Sequence, residues 1–272
     1  MATIHGGSGA SPVVRPVADA APIYVERVCF GRSSNRKAEF YVRTPVIVSW
    51  SGGKDSALLL HHLRRDPQYE VVGLVTTVTS DYDRISMHGI RRAILDAQVT
   101  RLALPLYEAT IPAAASNAAY EAAFLAALAR AQAAFPGVHT VAFGDLFLED
   151  VRAYRERLLA PQAWQPLFPL WGLDTAALAR QFVTDGFRAI VCCVDTQQLA
   201  PEWAGRDYDS EFLDTLPHAV DPCGERGEFH TCVYDGPIFR QPLALERGER
   251  VLRDGRFEYC DLLVSATQWR SS

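Results

Sequence analysis

Residues 45–50, Pro-Val-Ile-Val-Ser-Trp, form a short apolar run that stops abruptly at a pair of glycines. A β-branched run of this length predicts a buried strand. Residues 55–65 follow with leucines at 58, 59 and 63, which is helical spacing, and Asp-Pro at 66–67 ends the pattern. A strand, a glycine turn and a helix in direct succession predict the first unit of an α/β fold.

The same alternation continues along the chain. It predicts further strands at residues 70–78, 101–104, 138–143 and 187–194, and further helices at residues 87–98, 113–135, 148–159 and 175–185. Because the strands are apolar throughout, we expect a doubly wound, mostly parallel sheet with helices on both faces. After about residue 196 the alternation stops, which predicts a smaller, loop-rich C-terminal lobe with its boundary near residues 144–165.

Charge and cysteine usage exclude several classes of protein. The formal net charge of −5 provides no basic field for nucleic acid, which is therefore not expected as a partner. The six cysteines include no CxxC pair, and we expect reduced, buried thiols. No basic and apolar leader opens the sequence, and no apolar run approaches the roughly 20 residues that span a bilayer. The expectation is a cytoplasmic protein without a membrane partner.

The turn between the first strand and helix has the composition of an anion site: Ser51-Gly52-Gly53-Lys54-Asp55-Ser56. Two glycines allow successive N–H groups to point inward, and the helix start adds unpaired amides and the positive end of its dipole. The serines add hydroxyl donors, Lys54 a positive charge, and Asp55 a helix cap or a Mg²⁺ ligand. The loop is not a Walker A motif, because Lys54 is followed by Asp55. A tight turn with a serine cap is the alternative without a ligand.

This loop resembles the PP-loop of the adenine-nucleotide α-hydrolases, the N-type ATP pyrophosphatases. That resemblance implies ATP cleavage between the α- and β-phosphates through an AMP-linked intermediate. Further segments resemble the diphthine–ammonia ligase-like branch, at residues 87–90, 143–146 with 149–152, 168–171 and 224–231. The resemblance covers roughly residues 45–240. It implies an ATP-binding PP-loop domain over residues 45–150 and a substrate-binding lobe over 151–272. Residues 1–22 are rich in Gly, Ala, Ser, Pro and Val without helical or strand period, so we expect a flexible N-terminal extension over residues 1–44.

Two of these segments place polar residues where strands of the predicted sheet end. His88 follows the second strand, and Gly144 and Asp145 follow the fourth. The carboxyl edge of a parallel sheet is where ligands bind, so all three are predicted to contact nucleotide or substrate. A solvent-exposed histidine at a helix start and an aspartate that only caps a helix are the alternatives.

The segment at residues 224–231 concentrates Glu225, Glu228 and His230 within six positions. If the segment is extended, Glu228 and His230 project to one face, which suits metal binding or proton transfer. We favour substrate recognition and acid–base assistance, with a charged surface hairpin as the alternative. The resemblance implies a departure here, because eukaryotic and archaeal diphthamide enzymes carry glutamate at the position of His230. The histidine-bearing form resembles a bacterial subgroup, which leaves diphthine, a cobalamin precursor or another carboxylate open as the substrate.

The sequence therefore predicts an ATP-dependent ligase that amidates a carboxylate with ammonia and releases AMP and pyrophosphate. ATP and Mg²⁺ are the expected cofactors, ammonia and a carboxylate-bearing substrate the expected partners, and a homodimer is compatible with the sequence. The predicted catalytic residues are Lys54, Asp55, Glu225, Glu228 and His230. Two alternatives are a PP-loop enzyme that modifies or thiolates tRNA, and a nucleotide-binding sensor without ligase chemistry. The first would be expected to carry cysteine pairs or a basic extension, and the phosphate loop with its acidic C-terminal motif argues against the second.

Overall fold

The computed structural model describes residues 43–86 and 88–265, which belong to one compact unit. The predicted flexible extension at residues 1–44 lies almost wholly outside the described residues. The predicted domain limits at 45–150 and 151–272 stay a prediction. No helix in the described part of the chain is both long and apolar enough to cross a membrane.

The first sheet has six strands, five of them parallel. The parallel strands are β1 (Thr44–Ser49), β2 (Tyr69–Thr79), β4 (Leu106–Ile111), β5 (Thr140–Ala142) and β6 (Gln165–Leu167). The short β3 (Arg84–Ile85) pairs with the end of β2 in the antiparallel direction. β1 lies between β2 and β5, so the carboxyl end of β1 opens at the middle of the sheet. The mostly parallel α/β fold is confirmed.

Helices cover both faces of this sheet. The α-helices in the described part of the chain are α1 (Lys54–Arg65), α2 (Arg92–Leu102), α3 (Asn117–Ala134), α4 (Glu149–Leu159), α5 (Thr175–Thr184) and α6 (Ser210–Thr215), and α1 and α3 lie on opposite faces of this sheet. Alternate side chains of β1 enter two separate cores because a strand turns successive residues to opposite faces. Val46 and Val48 pack with Leu59 of α1, and Ile47 packs with Phe124 of α3. The buried β-branched run is thus covered on both faces, as its composition predicts.

A second sheet, antiparallel, follows in the C-terminal part. Its order is β8-β7-β10-β9, with β7 (Arg188–Asp195), β8 (Phe229–Asp235), β9 (Leu245–Arg253) and β10 (Phe257–Val264). The strand predicted at 187–194 is present, but it belongs to this sheet and not to the parallel one. β9 escapes an apolar pattern search because most of its residues are charged and exposed. The predicted loop-rich character after residue 196 holds for residues 196–228. It fails beyond them, because β8, β9 and β10 follow, and these strands were not predicted from the hydrophobic pattern.

Two predicted elements are wrong in place. The helix predicted at residues 87–98 begins at Arg92, because the chain first makes a turn in which Ile85 donates a backbone hydrogen bond to Ile90 (2.8 Å) and Gly89 has a φ of +66°. The strand predicted at 101–104 is the end of α2 and its left-handed cap at Ala103. The strand itself starts at Leu106, two residues after the predicted strand ends.

Candidate active site

The turn from β1 to α1 presents the start of a helix at the carboxyl edge of the first sheet. Gly52 has a φ of +78°, a conformation that glycine adopts without strain. The helix begins at Lys54, and the first hydrogen bond along it joins the Ala57 amide to the Gly53 carbonyl (3.1 Å). The three amides before Ala57 therefore have no carbonyl of their own helix to bind, as is general for helix starts. They and the helix dipole suit an anion.

One of these amides is already used by the second sheet. The Lys54 amide donates to the Thr231 hydroxyl at 3.0 Å. The Gly52 carbonyl accepts from the Val233 amide at 2.9 Å and from the buried Gln98 side chain at 3.1 Å. The amides of Asp55 and Ser56 are the ones that the helix start leaves for a ligand. The sequence reasoning missed Thr231 and Gln98; Thr231 directly follows His230 in the 224–231 segment.

Lys54 and Asp55 form an ion pair beside the loop. The Lys54 ammonium lies 2.7 and 2.8 Å from the two carboxylate oxygens of Asp55, and the lysine side chain is almost fully buried. Burial alone would lower the pKa of Lys54, but the neighbouring carboxylate outweighs it and raises the pKa. The ammonium therefore stays charged. It also lies 5.7 Å from the centre of the Phe229 ring.

A cavity of about 490 Å³ lies at this edge of the sheet, between the phosphate loop and residues 224–231 of the C-terminal part. Most of the predicted site residues line it, namely Ser51, Lys54, Asp55, Ser56, His88, Gly144, Asp145, Glu225 and His230. Gly52, Gly53 and Glu228 are outside its lining. Gly53 is packed from behind, since a Cβ there would lie 3.1 Å from the His88 Nε2 atom and from the Thr231 carbonyl oxygen.

The turn after β5 closes one side of the cavity. A Cβ on Gly144 would lie 3.1 Å from the backbone of Asp55, so glycine allows this turn to pack against the first turn of α1. Asp145 does not cap α4, whose N-cap is Leu148; its carboxylate instead pairs with Arg155 at 3.3 Å. Arg155 also lines the cavity, and the sequence reasoning missed it. Arg155 lies in the second turn of α4, and nothing in the neighbouring sequence indicates that its side chain faces a ligand.

Two histidines, with their rings tilted by 39° to each other, face the cavity beside the loop. The rings of His88 and His230 have their centres 4.5 Å apart. His88 lies in the turn before α2, not at a helix start. Burial lowers the pKa of both imidazoles, that of His230 to about 4 and that of His88 well below its usual value. Both rings are thus neutral near pH 7 and can accept a hydrogen bond from a ligand.

The two glutamates of the 224–231 segment have different surroundings. Glu225 lines the cavity and accepts a hydrogen bond from the Leu146 amide at 2.8 Å. Burial raises its pKa to about 7, which suits a general base near neutral pH. Glu228 is buried and accepts from the Asp221 amide at 3.0 Å. The prediction that Glu228 and His230 share a face is wrong, because β8 begins at Phe229 and Glu228 belongs to the preceding turn.

Two family models match the chain. The diphthamide synthase N-terminal domain matches residues 44–160, and the diphthamide synthase C-terminal domain matches residues 174–262. Together they account for most of the sequence. The chain belongs to the diphthamide synthase family, the diphthine–ammonia ligase-like proteins. Every segment on which the sequence resemblance rests, apart from residues 168–171, falls within the two matched ranges.

Curated relatives of this diphthine–ammonia ligase-like chain carry that enzyme name. The diphthine–ammonia ligase of Schizosaccharomyces pombe is 26% identical over 234 residues, which are 79% of this chain and 38% of the relative. That of Danio rerio is 30% identical over 120 residues, covering 42% of this chain and 47% of the relative. The human enzyme is 25% identical over 228 residues, covering 74% of this chain and 83% of the relative. The chain thus spans less than half the length of the first two relatives.

Proposed function

We propose that this chain is an ATP-dependent ligase that amidates a carboxylate with ammonia and releases AMP and pyrophosphate. The observation that carries the proposal is the shared cavity. It joins the start of α1 and the charged Lys54 to Glu225 and His230, in a family whose named relatives are diphthine–ammonia ligases. An anion site on one wall and proton acceptors on another are what such a reaction requires.

The reaction has two steps in the same cavity. A carboxylate oxygen of the substrate attacks the α-phosphorus of ATP, and the bond to the β-phosphate oxygen breaks, so that pyrophosphate leaves and an acyl adenylate forms. Ammonia then attacks the acyl carbon, AMP leaves, and the proton lost from nitrogen passes to Glu225 or His230. The residues proposed to bind the nucleotide are Ser51, Gly52, Gly53, Lys54, Asp55, Ser56, His88, Gly144 and Asp145.

Glu228 acts indirectly in this proposal, through the turn that carries Glu225. Its carboxylate ties the Asp221 amide to the turn that carries Glu225, and it does not line the cavity. It is therefore proposed as a positioning residue and not as a group that touches the substrate.

Mg²⁺ is also part of the proposal, with Asp55 as its protein ligand. Magnesium in nucleotide sites takes one or two carboxylates and completes its shell with phosphate oxygens and water, and it neutralises charge on the leaving pyrophosphate. Asp55 lines the cavity at the helix start, and its carboxylate would exchange the Lys54 ammonium, which lies against both of its oxygens, for the metal ion. Within residues 43–86 and 88–265, no three His, Cys, Asp or Glu side chains group to hold a metal ion by themselves. Asp55 would thus share the metal with the phosphates.

The cysteines bear on the thiolation alternative. Five are described as free and buried, Cys192, Cys193, Cys223, Cys232 and Cys260. Burial raises the pKa of each thiol, to about 12 for three of them, so none is a ready nucleophile. Free thiols also support the proposal of a reducing, cytoplasmic location. A homodimer stays a prediction.

The test is to incubate the full chain with ATP, Mg²⁺, ammonium and a panel of carboxylic acids, and to identify the nucleotide product. We expect AMP and pyrophosphate in equal amounts. Lys54→Met should lower pyrophosphate release at least 100-fold, while Arg65→Met, a change at the exposed end of α1, should not. ADP as the product would refute the ligase. ATP binding without any cleavage would favour the nucleotide sensor.

A further inference from the structure

A buried carboxylate at the end of β7 serves to hold one arginine in place. Asp195 is 1% exposed and accepts hydrogen bonds from Arg256 Nε (2.9 Å), Arg256 Nη2 (2.6 Å) and the Gln198 side chain (2.8 Å). The Arg256 carbonyl in turn accepts from the amide and the hydroxyl of Thr196, at 2.9 and 2.7 Å. Arg256 is thus fixed at both its backbone and its side chain.

The fixed guanidinium lies in the wall of the cavity. Asp195, Gln198, Arg256 and Phe257 all line it, and the Arg256 side chain remains 43% exposed. Asp195 takes the Nε and Nη2 edge, and within the described residues no hydrogen bond is formed by Nη1. The Phe257 ring, 5.0 Å from the guanidinium carbon, supports it from one side. A guanidinium held this way is prepared to bind a carboxylate or phosphate with little loss of side-chain entropy.

A second cation lines the same cavity. Arg226 is exposed, lines the same cavity, and places its guanidinium over the Phe147 ring at 5.5 Å. The backbone carbonyl of Arg226 accepts a hydrogen bond from Gln198 at 3.4 Å, which links it to the Asp195 cluster. The other cations of the lining, Lys54 and Arg155, are paired with carboxylates. Among the described residues Arg226 has no carboxylate partner, so its positive charge is left for a ligand in the cavity.

This end is separate from the phosphate loop. Phe229 of β8 and Phe257 of β10 flank opposite sides of β7, where they pair with Val194 and Asp195. Two strand spacings separate them, which amounts to about 10 Å. The Lys54 ammonium lies over Phe229 and Arg256 lies over Phe257. The two cations thus lie over aromatic rings on strands at either side of β7, and we assign them to different anionic groups.

We propose that Arg256, positioned by Asp195, and Arg226 bind a second anionic group of the acid substrate. The chain would then amidate an acid that carries one carboxylate at the reacting end and another negative group several bonds away. This rests on the proposed ligase function. An acid with a cationic group at that distance would meet two guanidinium groups and bind poorly.

The experiment compares acids of equal length that differ only in the charge of the far end. The panel holds glutarate, adipate and pimelate, their monomethyl esters, and ω-trimethylammonio acids of the same length. Binding to the full chain is measured by calorimetry with Mg²⁺ and α,β-methylene-ATP, which cannot lose pyrophosphate, and pyrophosphate release is measured separately with ATP and ammonium. We expect at least one diacid to bind at least tenfold more tightly than its monoester. Arg256→Gln should reduce this preference to threefold or less without changing the KM for ATP.

Two further variants and a control test whether Arg256 and Arg226 form the proposed anion site. Asp195→Asn should raise the KM for the diacid while leaving kcat nearly unchanged, as expected of a positioning residue. Arg226→Gln is an exposed change that leaves the fold intact and should reduce the preference about threefold, which covers the case in which Arg256→Gln does not fold. Arg253→Gln, in β9 and outside the cavity lining, is the matched control.

The outcomes separate the two proposals. A diacid preference that depends on Arg256, found in a protein that forms ADP, would support this anion site and refute the ligase. Monoesters or trimethylammonio acids that bind as well as the diacids, a preference that survives Arg256→Gln and Arg226→Gln, or no diacid binding at all would overturn the anion site.

Discussion

The Thr231 hydroxyl accepts a hydrogen bond from the Lys54 amide at 3.0 Å, across 177 positions of sequence. Lys54 opens the helix at the phosphate loop, and Thr231 lies in β8 of the second sheet. Val233 in the same strand donates to the Gly52 carbonyl at 2.9 Å. The loop that is proposed to hold the phosphates of ATP is therefore shaped in part by a strand of the other sheet.

Replacing Thr231 with valine should weaken both the fold and the nucleotide site. The change removes the acceptor for a buried amide, which costs about 1–3 kcal/mol of unfolding free energy. It should also raise the KM for ATP, because the first turn of α1 loses one of its restraints. Thr231→Ser keeps the hydroxyl and serves as the control. Urea denaturation and steady-state kinetics measure the two effects, and a valine variant equal to the serine variant in both would show that the hydrogen bond is unimportant.

Gln98 is the second restraint on the loop, and its replacement by methionine should be costly. This fully buried side chain accepts from the Trp50 indole (3.1 Å) and donates to the carbonyls of Gly52 (3.1 Å) and Val233 (2.8 Å). Methionine fills the space but leaves these groups without a partner, so we expect a loss of about 2–4 kcal/mol in unfolding free energy. Gln181→Met, at an exposed position of α5, should lower the unfolding free energy by less than about 0.5 kcal/mol. A Gln98 variant as stable as that control would contradict this account.

Glu225 predicts the pH dependence of the reaction. Its pKa is raised to about 7 by burial, with Asp55, Asp145 and Lys54 as the charged groups that act on it. As a base it is competent only when ionised, so steady-state formation of the amide and AMP at saturating ammonia should rise with pH through about 7. Glu225→Gln should abolish this rise, whereas Glu249→Gln on exposed β9 should retain it. A wild-type profile that is flat between pH 6 and 8 would exclude Glu225 as the base.

His230 predicts part of the acid sensitivity of the fold. Its pKa is lowered from 6.5 to about 4 by burial, so the unfolded chain takes up this proton first as the pH falls. The folded state should therefore lose stability between pH 6.5 and 4, by up to about 3 kcal/mol from this residue. His230→Gln should flatten that part of the profile in urea denaturation at a series of pH values. If the variant keeps the full wild-type slope, folding does not lower the pKa of His230.

The first unit of the fold and most of the cavity wall could be predicted from local sequence. The apolar run before Gly52 fixes β1, and ligand residues after parallel strands meet at one edge, which is why Asp55, His88 and Asp145 all line the cavity. Boundaries were less predictable where a turn interrupts an apolar pattern, as at Gly89. There the backbone conformation decides where the helix starts, and hydrophobic spacing does not report it.

The second half of the site depends on contacts distant in sequence. Asp195 and Arg256 are 61 positions apart and meet only because β7 and β10 pair, and no local pattern predicts that pairing. For Glu228, the local sequence predicted an arrangement that the structure does not have. Its place in a motif beside His230 suggested a shared face, but the turn before β8 directs its carboxylate to Asp221.

The hydrogen bonds between the loop at residues 51–56 and β8 limit how this protein can be divided into fragments. The two matched domains, residues 44–160 and 174–262, look like separable modules along the chain. A fragment ending near residue 160 would nevertheless lack the hydroxyl that caps Lys54 and the amide that engages Gly52. The proposed nucleotide site is in this sense built by both halves together, and splitting the gene between them should preserve it only if the two products reassemble.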